Sequence, residues 1–173
     1  MVDLSHEIRS DELGGDTGGT RLDAPFHLYP DRADLARVPL ERLVSVSIVV
    51  VRAYARLEIA VDDLGDPGVL WGKAVLLYTG RARHRDLASP RLAGAAVGKL
   101  IDANVALVGL DSGIDEPARQ ALLGNDIPIV EHLTNLDRLP DTGARLTVLP
   151  PPVREMASFA VRAVAVIPSG PNY

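Results

Sequence analysis

A helical segment followed directly by an apolar strand is the strongest constraint on the fold of this chain. Ser89-Pro90 combines a residue typical of the N-cap with proline at the first helical position, which predicts a helix that ends near Asn104. Residues 105–110 are then almost all apolar, as expected for a strand that is covered on both faces. Because such a strand must be packed between other elements, the sequence predicts an α/β fold.

Further elements follow from the same kind of pattern. Apolar and β-branched runs predict strands over residues 44–53, 56–60, 73–79, 105–110, 127–130, 145–149 and 159–167. A second helix is predicted over residues 116–123, with Asp115 as its N-cap and Gly124 at its end. The apolar face of the first helix is predicted to consist of Leu92, Ala96, Val97, Leu100 and Ile101. Helices and strands therefore alternate through residues 89–130.

Composition and charge exclude several classes of protein. With 173 residues, 47% of them hydrophobic and 24% charged, the chain is expected to form one folded domain over residues 1–173. The net charge of −5 and the lack of a lysine or arginine cluster argue against a nucleic-acid partner. No apolar run approaches the ~20 residues that cross a bilayer, and no secretory signal is evident, so we expect a cytoplasmic protein without membrane contact. The absence of cysteine excludes disulfides, thiolate metal ligands and a cysteine nucleophile.

Residues 17–27 concentrate the side chains that are best suited to chemistry. Side chains alternate along an extended segment, so Arg21 and Asp23 should point to one face. Pro25 has no N–H for strand pairing and therefore ends regular pairing just before His27. The pattern predicts a strand end that presents a charge pair and an imidazole.

This stretch resembles the signature of the cyclase family, to which bacterial kynurenine formamidases belong and which reads His-x-Gly-Thr-His-x-Asp-Ala-Pro-x-His. The positions that fit in register are Gly19, Thr20, Asp23, Ala24, Pro25 and His27. Residues 3–6, 108–112 and 129–136 resemble other segments of the same family, so the similarity covers most of the chain. The resemblance implies a mixed β-sheet with a barrel-like core and flanking helices, of the swivelling β/β/α type found in kynurenine formamidases.

The chain departs from the family where the family has its metal-binding histidines. Thr17 and Arg21 stand at the positions of the first two histidines of the signature. The family completes its metal site with a histidine twelve residues before a glutamate. Glu131 matches that glutamate, but Arg119 stands at the histidine position. Because arginine stays protonated and has no lone pair for a cation, we expect neither a metal nor another cofactor.

Two arrangements of the resulting charges remain open. In the first, Arg21 and Arg119 pair with Asp23 and Glu131, replace the charge of the metal and leave an inactive site. In the second, the arginines hold a substrate carboxylate or polarise a carbonyl. His27 would then act as general acid or base beside the catalytic carboxylates Asp23 and Glu131.

A second group of predicted substrate-binding residues lies outside this cluster. Arg81 and His84 belong to a short basic segment, residues 81–87, that follows the Thr79-Gly80 pair. This segment is interpreted either as a solvated loop or as a site for an anionic group of the substrate. Thr17 is predicted to contact the substrate as well.

Three functions are compatible with these residues. The first is a metal-independent enzyme of the cyclase family that acts on a small carbonyl or carboxylate compound, including anionic ones, by cyclisation, dehydration, isomerisation or hydrolysis. The second is a metal-dependent amide hydrolase of the arylformamidase type, with ligands drawn from His6, His84 or His132. The third is an inactive relative that serves as a binding or assembly subunit. The resemblance also implies a homodimer or a larger homo-oligomer.

Overall fold

A computed structural model describes residues 1–10, 19–82 and 89–168 of the chain. The strands are β1 (Val2–Asp3), β2 (Arg21–Asp23), β3 (Val46–Arg52), β4 (Glu58–Ile59), β5 (Ala74–Tyr78), β6 (Arg91–Leu92), β7 (Leu107–Leu110), β8 (Ile129–Glu131), β9 (Thr142–Leu149), β10 (Ser158–Ala160) and β11 (Arg162–Val166). The helices are α1 (Pro67–Leu70), α2 (Gly94–Asp102) and α3 (Glu116–Leu123). Most predicted strands are therefore present, although several are shorter than predicted.

Nine strands of the described residues form one mixed sheet in the order β1-β11-β9-β3-β5-β7-β8-β2-β10. The central strands β3, β5, β7 and β8 run parallel to one another. Strand β2 continues the sheet antiparallel to β8, and β9 continues it antiparallel to β3. The sheet curls into a half-barrel with helices against it, which confirms the predicted mixed α/β architecture.

Apolar side chains cover both faces of the sheet, because successive residues of a strand point to opposite sides. In β3, Ile48 and Val50 join the core on one face, whereas Val49 and Val51 join the core on the other face, beneath the helices. Helices α2 and α3 bury Leu100 and Leu122, among other side chains, in the second core. The helix-covered face is the one on which the candidate site lies.

Helix α2 begins later than predicted. Ser89-Pro90 precedes strand β6, and the helix starts at Gly94 with Ala93 as its N-cap residue. Leu92 is buried as expected, but it pairs in β6 with Ile59 of β4 instead of lying on the helix. The predicted start was wrong because this strand pairing outweighs a local capping preference.

The predicted C-terminal strand is divided into two. Strand β10 pairs with β2 on one side of the sheet, while β11 pairs with β9 on the other side. Val161 lies between them, and its N–H donates to the carbonyl of Thr20 at 2.9 Å. A continuous strand over residues 159–167 was therefore a wrong prediction, since one segment pairs with two distant neighbours.

Helix α3 has the predicted bounds and ends at Gly124. Asp115 occupies the N-cap position, but its side chain does not cap the helix and instead accepts the N–H of Leu92 at 2.9 Å. This bond ties the start of α3 to strand β6. No helix in the described residues is long and apolar enough to cross a membrane.

The sheet core near the site provides a direct test of this architecture. Leu22 is fully buried in β2, between the flanking residues Arg21 and Asp23. We expect Leu22→Ala to lower the free energy of unfolding by about 2–5 kcal/mol, because it leaves a cavity in a packed core. Urea denaturation would measure the change. Leu57→Ala is the matched control, because Leu57 is 80% exposed and its truncation should change stability by less than about 0.5 kcal/mol. Equal effects of the two variants would contradict the described packing.

Candidate active site

Side chains from three distant segments meet on the helix-covered face of the sheet. Strands β2 and β8 pair with Arg21 opposite Glu131 and with Asp23 opposite Ile129. The intervening residues of both strands point into the core of the other face, so Arg21, Asp23 and Glu131 share one side of the sheet. Helix α3 brings Arg119 to the same side. The predicted common face of Arg21 and Asp23 is therefore confirmed.

The guanidinium of Arg119 bridges the two carboxylates. Its Nη1 atom donates to Asp23 Oδ2, and its Nη2 atom donates to Glu131 Oε1 at 2.8 Å. Its Nε atom lies 3.5 Å from a carboxylate oxygen of Glu116, one turn earlier in α3. The side chains are 14% exposed for Arg119, 4% for Asp23 and 10% for Glu131. One arginine thus takes the bridging role between the two carboxylates.

Arg119 stays charged in this environment. Burial on its own lowers the pKa of Arg119, but the negative charges of Glu131 and Asp23 outweigh that effect. The pKa of Arg119 is therefore raised above its ordinary value. Since the nitrogen atoms of the guanidinium face carboxylates on three sides, Arg119 acts as a fixed counter-charge in this structure.

The loop after β7 holds Glu131 from the other side. The N–H of Ile114 donates to Glu131 Oε1 at 2.6 Å, so this oxygen receives two hydrogen bonds. No described residue donates to Oε2 of Glu131. A Cβ atom at Gly113 would lie 3.5 Å from Glu131 Oε1 and 3.0 Å from Ser89 Oγ, so glycine permits the close approach of this loop. One oxygen of Glu131 is fixed, and the other remains an acceptor.

The other predicted site residues have different surroundings. The Nε atom of Arg21 donates to Ser158 Oγ of β10 at 3.2 Å. His27 is exposed on the 3₁₀ turn Pro25–His27, which follows β2 and contacts α3. Its imidazole forms no hydrogen bond with the part of the chain that the structure describes. Thr17 and His84 lie outside the described residues.

Arg81 is buried, with 7% of its surface exposed. The interpretation of this residue as part of a solvated loop is therefore wrong. Its N–H donates to Asp111 Oδ2 at 3.1 Å, which fixes its backbone beside the strand end of β7. The strand ends of β5, β7 and β8 lie on one edge of the sheet, because these strands are parallel.

Sequence reasoning missed a second polar layer around Glu131. Thr20 donates its hydroxyl to the carbonyl of His132 at 2.6 Å and accepts the N–H of His6 at 3.1 Å. His132 adopts a left-handed backbone conformation with φ of 56° directly after Glu131. Positive φ is uncommon for residues other than glycine, although histidine is among the types that adopt it more often. The match of Thr20 to the family signature was the available signal.

These residues do not fit a divalent-cation site. A catalytic zinc site needs about three neutral or anionic ligands and an open position, yet here a guanidinium occupies the space between Asp23 and Glu131. No group of three or more histidines, aspartates and glutamates among the described residues could hold a metal ion. His6 and His132, which the hydrolase alternative invoked, belong to no such group.

The fold and this strand-end site define a protein of the cyclase type, and comparison with known proteins identifies the family. The sequence model of the family described as "Putative cyclase" matches residues 2–115, which is more than half of the chain. The chain belongs to this cyclase family. The resemblance in the signature stretch and in the opening residues is thereby confirmed.

Several proteins that this chain resembles have the names of hydrolases. The chain is 28% identical over 166 residues to a kynurenine formamidase from Paracidovorax citrulli (strain AAC00-1), and the match covers 87% of this chain and 76% of the relative. The fold is similar to isatin hydrolase A from Labrenzia aggregata, with a TM-score of 0.80, 21% identity, and 95% and 92% of the two chains covered. A "predicted metal-dependent hydrolase" from Bacillus stearothermophilus has a TM-score of 0.72 at 19% identity, with 94% and 95% covered.

The bridging role of Arg119 is testable through stability. We expect Arg119→Met to lower the free energy of unfolding by about 3–5 kcal/mol, because two buried carboxylates lose their shared counter-charge. Combining it with Asp23→Asn and Glu131→Gln should restore part of that loss, since the repulsion is then removed. Urea denaturation of the single and triple variants measures both effects.

Arg91→Met is the matched control for this prediction. Arg91 pairs with Glu58, but the two side chains are 66% and 45% exposed, so the loss should be about 0–1 kcal/mol. If Arg119→Met cost no more than Arg91→Met, the bridge would not stabilise the fold.

Proposed function

We propose that this protein is a metal-independent enzyme of the cyclase family that performs acid–base chemistry on a small carbonyl- or carboxylate-containing compound. The observation that carries the proposal is the Arg119 guanidinium between Asp23 and Glu131, at the position where the family resemblance implies a metal-binding histidine. A permanent cation at this point keeps two buried carboxylates together. It also provides positive charge near a developing oxyanion.

Glu131 is the proposed general base. Its Oε1 atom is held by the N–H of Ile114 and by Arg119, which fixes the orientation of the carboxylate. Its Oε2 atom is then the one that takes a proton from the substrate. Asp23 acts as a positioning residue, because it holds the other side of the Arg119 guanidinium.

His27 is the proposed partner that returns the proton. It lies on the turn that follows β2, and its exposed imidazole can exchange protons with solvent. Histidine is the side-chain type suited to giving and taking protons near neutral pH. Arg21, opposite Glu131 in the sheet, is the proposed donor to a substrate oxygen.

Proton-transfer reactions suit this set of residues best. Cyclisation, dehydration and isomerisation need a base, an acid and a stabilised oxyanion, and the proposed roles supply all three. Hydrolysis is the alternative that the relatives favour, since they are named kynurenine formamidase and isatin hydrolase. An activated amide, such as the ring amide of isatin or the formamide of N-formylkynurenine, would be its most accessible target.

Turnover of a small panel of compounds tests the catalytic roles. The panel contains isatin, N-formylkynurenine and simple hydroxy and keto acids. For any compound that is turned over, we expect Glu131→Gln and His27→Gln to lower kcat/KM by about 10²–10⁴-fold, because each removes a proton-transfer group. Glu41→Gln, a change at an exposed glutamate, should leave kcat/KM unchanged. Activity that survives in both site variants would refute the assigned roles, and binding of a panel compound without turnover would favour the binding-protein alternative.

Metal analysis tests whether the protein works without a bound metal ion. After incubation with zinc and removal of free metal, we expect the parent protein to retain far less than one zinc per chain, and its activity to survive a chelator. Arg21→His combined with Arg119→His should increase zinc retention toward one per chain, because two imidazoles then join Asp23 and Glu131. Elemental analysis measures both. About one tightly bound zinc in the parent would overturn the metal-independent proposal.

A further inference from the structure

Arg81 is a buried cation, and two of its guanidinium nitrogen atoms have no acceptor among the described residues. The residue is 7% exposed, and its Nε and Nη1 atoms are enclosed without a hydrogen-bond acceptor. A guanidinium carries five N–H donors and stays charged at every relevant pH. Burying such a group without acceptors costs several kcal/mol. A folded chain retains this arrangement most readily when a ligand supplies the missing acceptor.

The carboxylate that accepts the backbone N–H of Arg81 is already committed to other donors. Asp111 Oδ1 accepts the N–H and the hydroxyl of Thr79, at 2.9 and 2.6 Å. Asp111 Oδ2 accepts the N–H of Gly80 at 2.7 Å and the N–H of Arg81 at 3.1 Å. Four donors fill the roughly four acceptor sites of a carboxylate. Asp111 therefore holds the backbone of Arg81 in place without accepting from its guanidinium.

The backbone N–H groups of this turn form an anion-binding arrangement, and the carboxylate of Asp111 occupies it. The consecutive N–H groups of Thr79, Gly80 and Arg81 all point at Asp111, and Gly80 has a φ of 80° that few other residues adopt. The position of Arg81 is thus fixed by three backbone bonds rather than by its own side chain. A side chain held in this way is available for a ligand at no cost to the turn.

Arg81 also lies on the same sheet edge as the proposed catalytic residues. It follows β5, whereas Glu131 ends β8, and one strand, β7, separates the two. Neighbouring strands are about 4.8 Å apart, so the two backbones are roughly 10 Å apart along this edge. A molecule with two polar ends could span this distance together with the long side chains of the site.

We propose that Arg81 binds the carboxylate of the substrate, so that the substrate class of this protein is a small carboxylic acid whose reacting group lies toward Glu131. The planar guanidinium matches a carboxylate in shape and charge. Only the placement of the reacting group near Glu131 rests on the proposed function. Binding of a carboxylate at Arg81 is measurable without any turnover.

Carboxylate binding by the intact protein tests this assignment. Acetate and benzoate, each compared with its neutral amide, are titrated at constant ionic strength, and the midpoint of thermal unfolding and the heat of binding are recorded. We expect at least one carboxylate to bind and to raise the midpoint, while acetamide and benzamide have no effect. Arg81→Met should weaken carboxylate binding about tenfold or more, and Arg81→Lys should give an intermediate loss because it keeps the charge without the fork.

Stability separates a ligand-binding role from a structural role. Without ligand, Arg81→Met should unfold at the same or a higher urea concentration than the parent, since it removes a buried charge without acceptors. Arg154→Met, a change at an exposed arginine, should alter neither stability nor carboxylate binding.

Four outcomes would each overturn the proposal. They are failure of both carboxylates to bind the parent, equal binding to Arg81→Met, tighter binding of inorganic phosphate, and a clear loss of stability in Arg81→Met. Glu131→Gln should still bind the carboxylate, so failure of the catalytic proposal is recognised separately.

Discussion

The bridge from Arg119 to Asp23 and Glu131 is the interaction on which the rest of the site depends. Two buried carboxylates on neighbouring strands repel each other, and the repulsion grows as solvent is excluded. A guanidinium with two donors for two carboxylates removes the repulsion and fixes the direction of both side chains. The bridge also links helix α3 to strands β2 and β8. Charge balance and packing of α3 therefore depend on the same side chain.

The bridge requires a particular order of strands. Asp23 and Glu131 are far apart in the sequence and meet because β2 lies antiparallel to β8 with Arg21 opposite Glu131. The pairing of β10 with the free side of β2 then covers this end of the sheet. Since the period of a strand is two residues, a shift of one residue would turn Asp23 away from α3. The register of β2 against β8 therefore determines the geometry of the site.

Much of this arrangement was predictable from local sequence. The spacing of Arg21 and Asp23 indicated a common face, and the resemblance to the cyclase family paired Glu131 with position 119. The start of α2 and the division of the last strand were not predictable, because both depend on pairing between distant segments. The partners of a charged side chain are equally non-local. The sequence indicated two arginines for two carboxylates, and in the structure the guanidinium of Arg119 contacts both carboxylates.

The two buried arginines of this sheet edge differ in a way that bears on function. Arg119 has a carboxylate oxygen near each of its nitrogen atoms, so its burial is balanced within the fold. Arg81 has enclosed nitrogen atoms without acceptors, although a carboxylate lies beside its backbone. In natural proteins, buried polar groups without a hydrogen-bond partner occur mainly where function requires them. Packing and charge balance explain Arg119, whereas the carboxylate ligand proposed for Arg81 would supply an acceptor that the described residues do not offer.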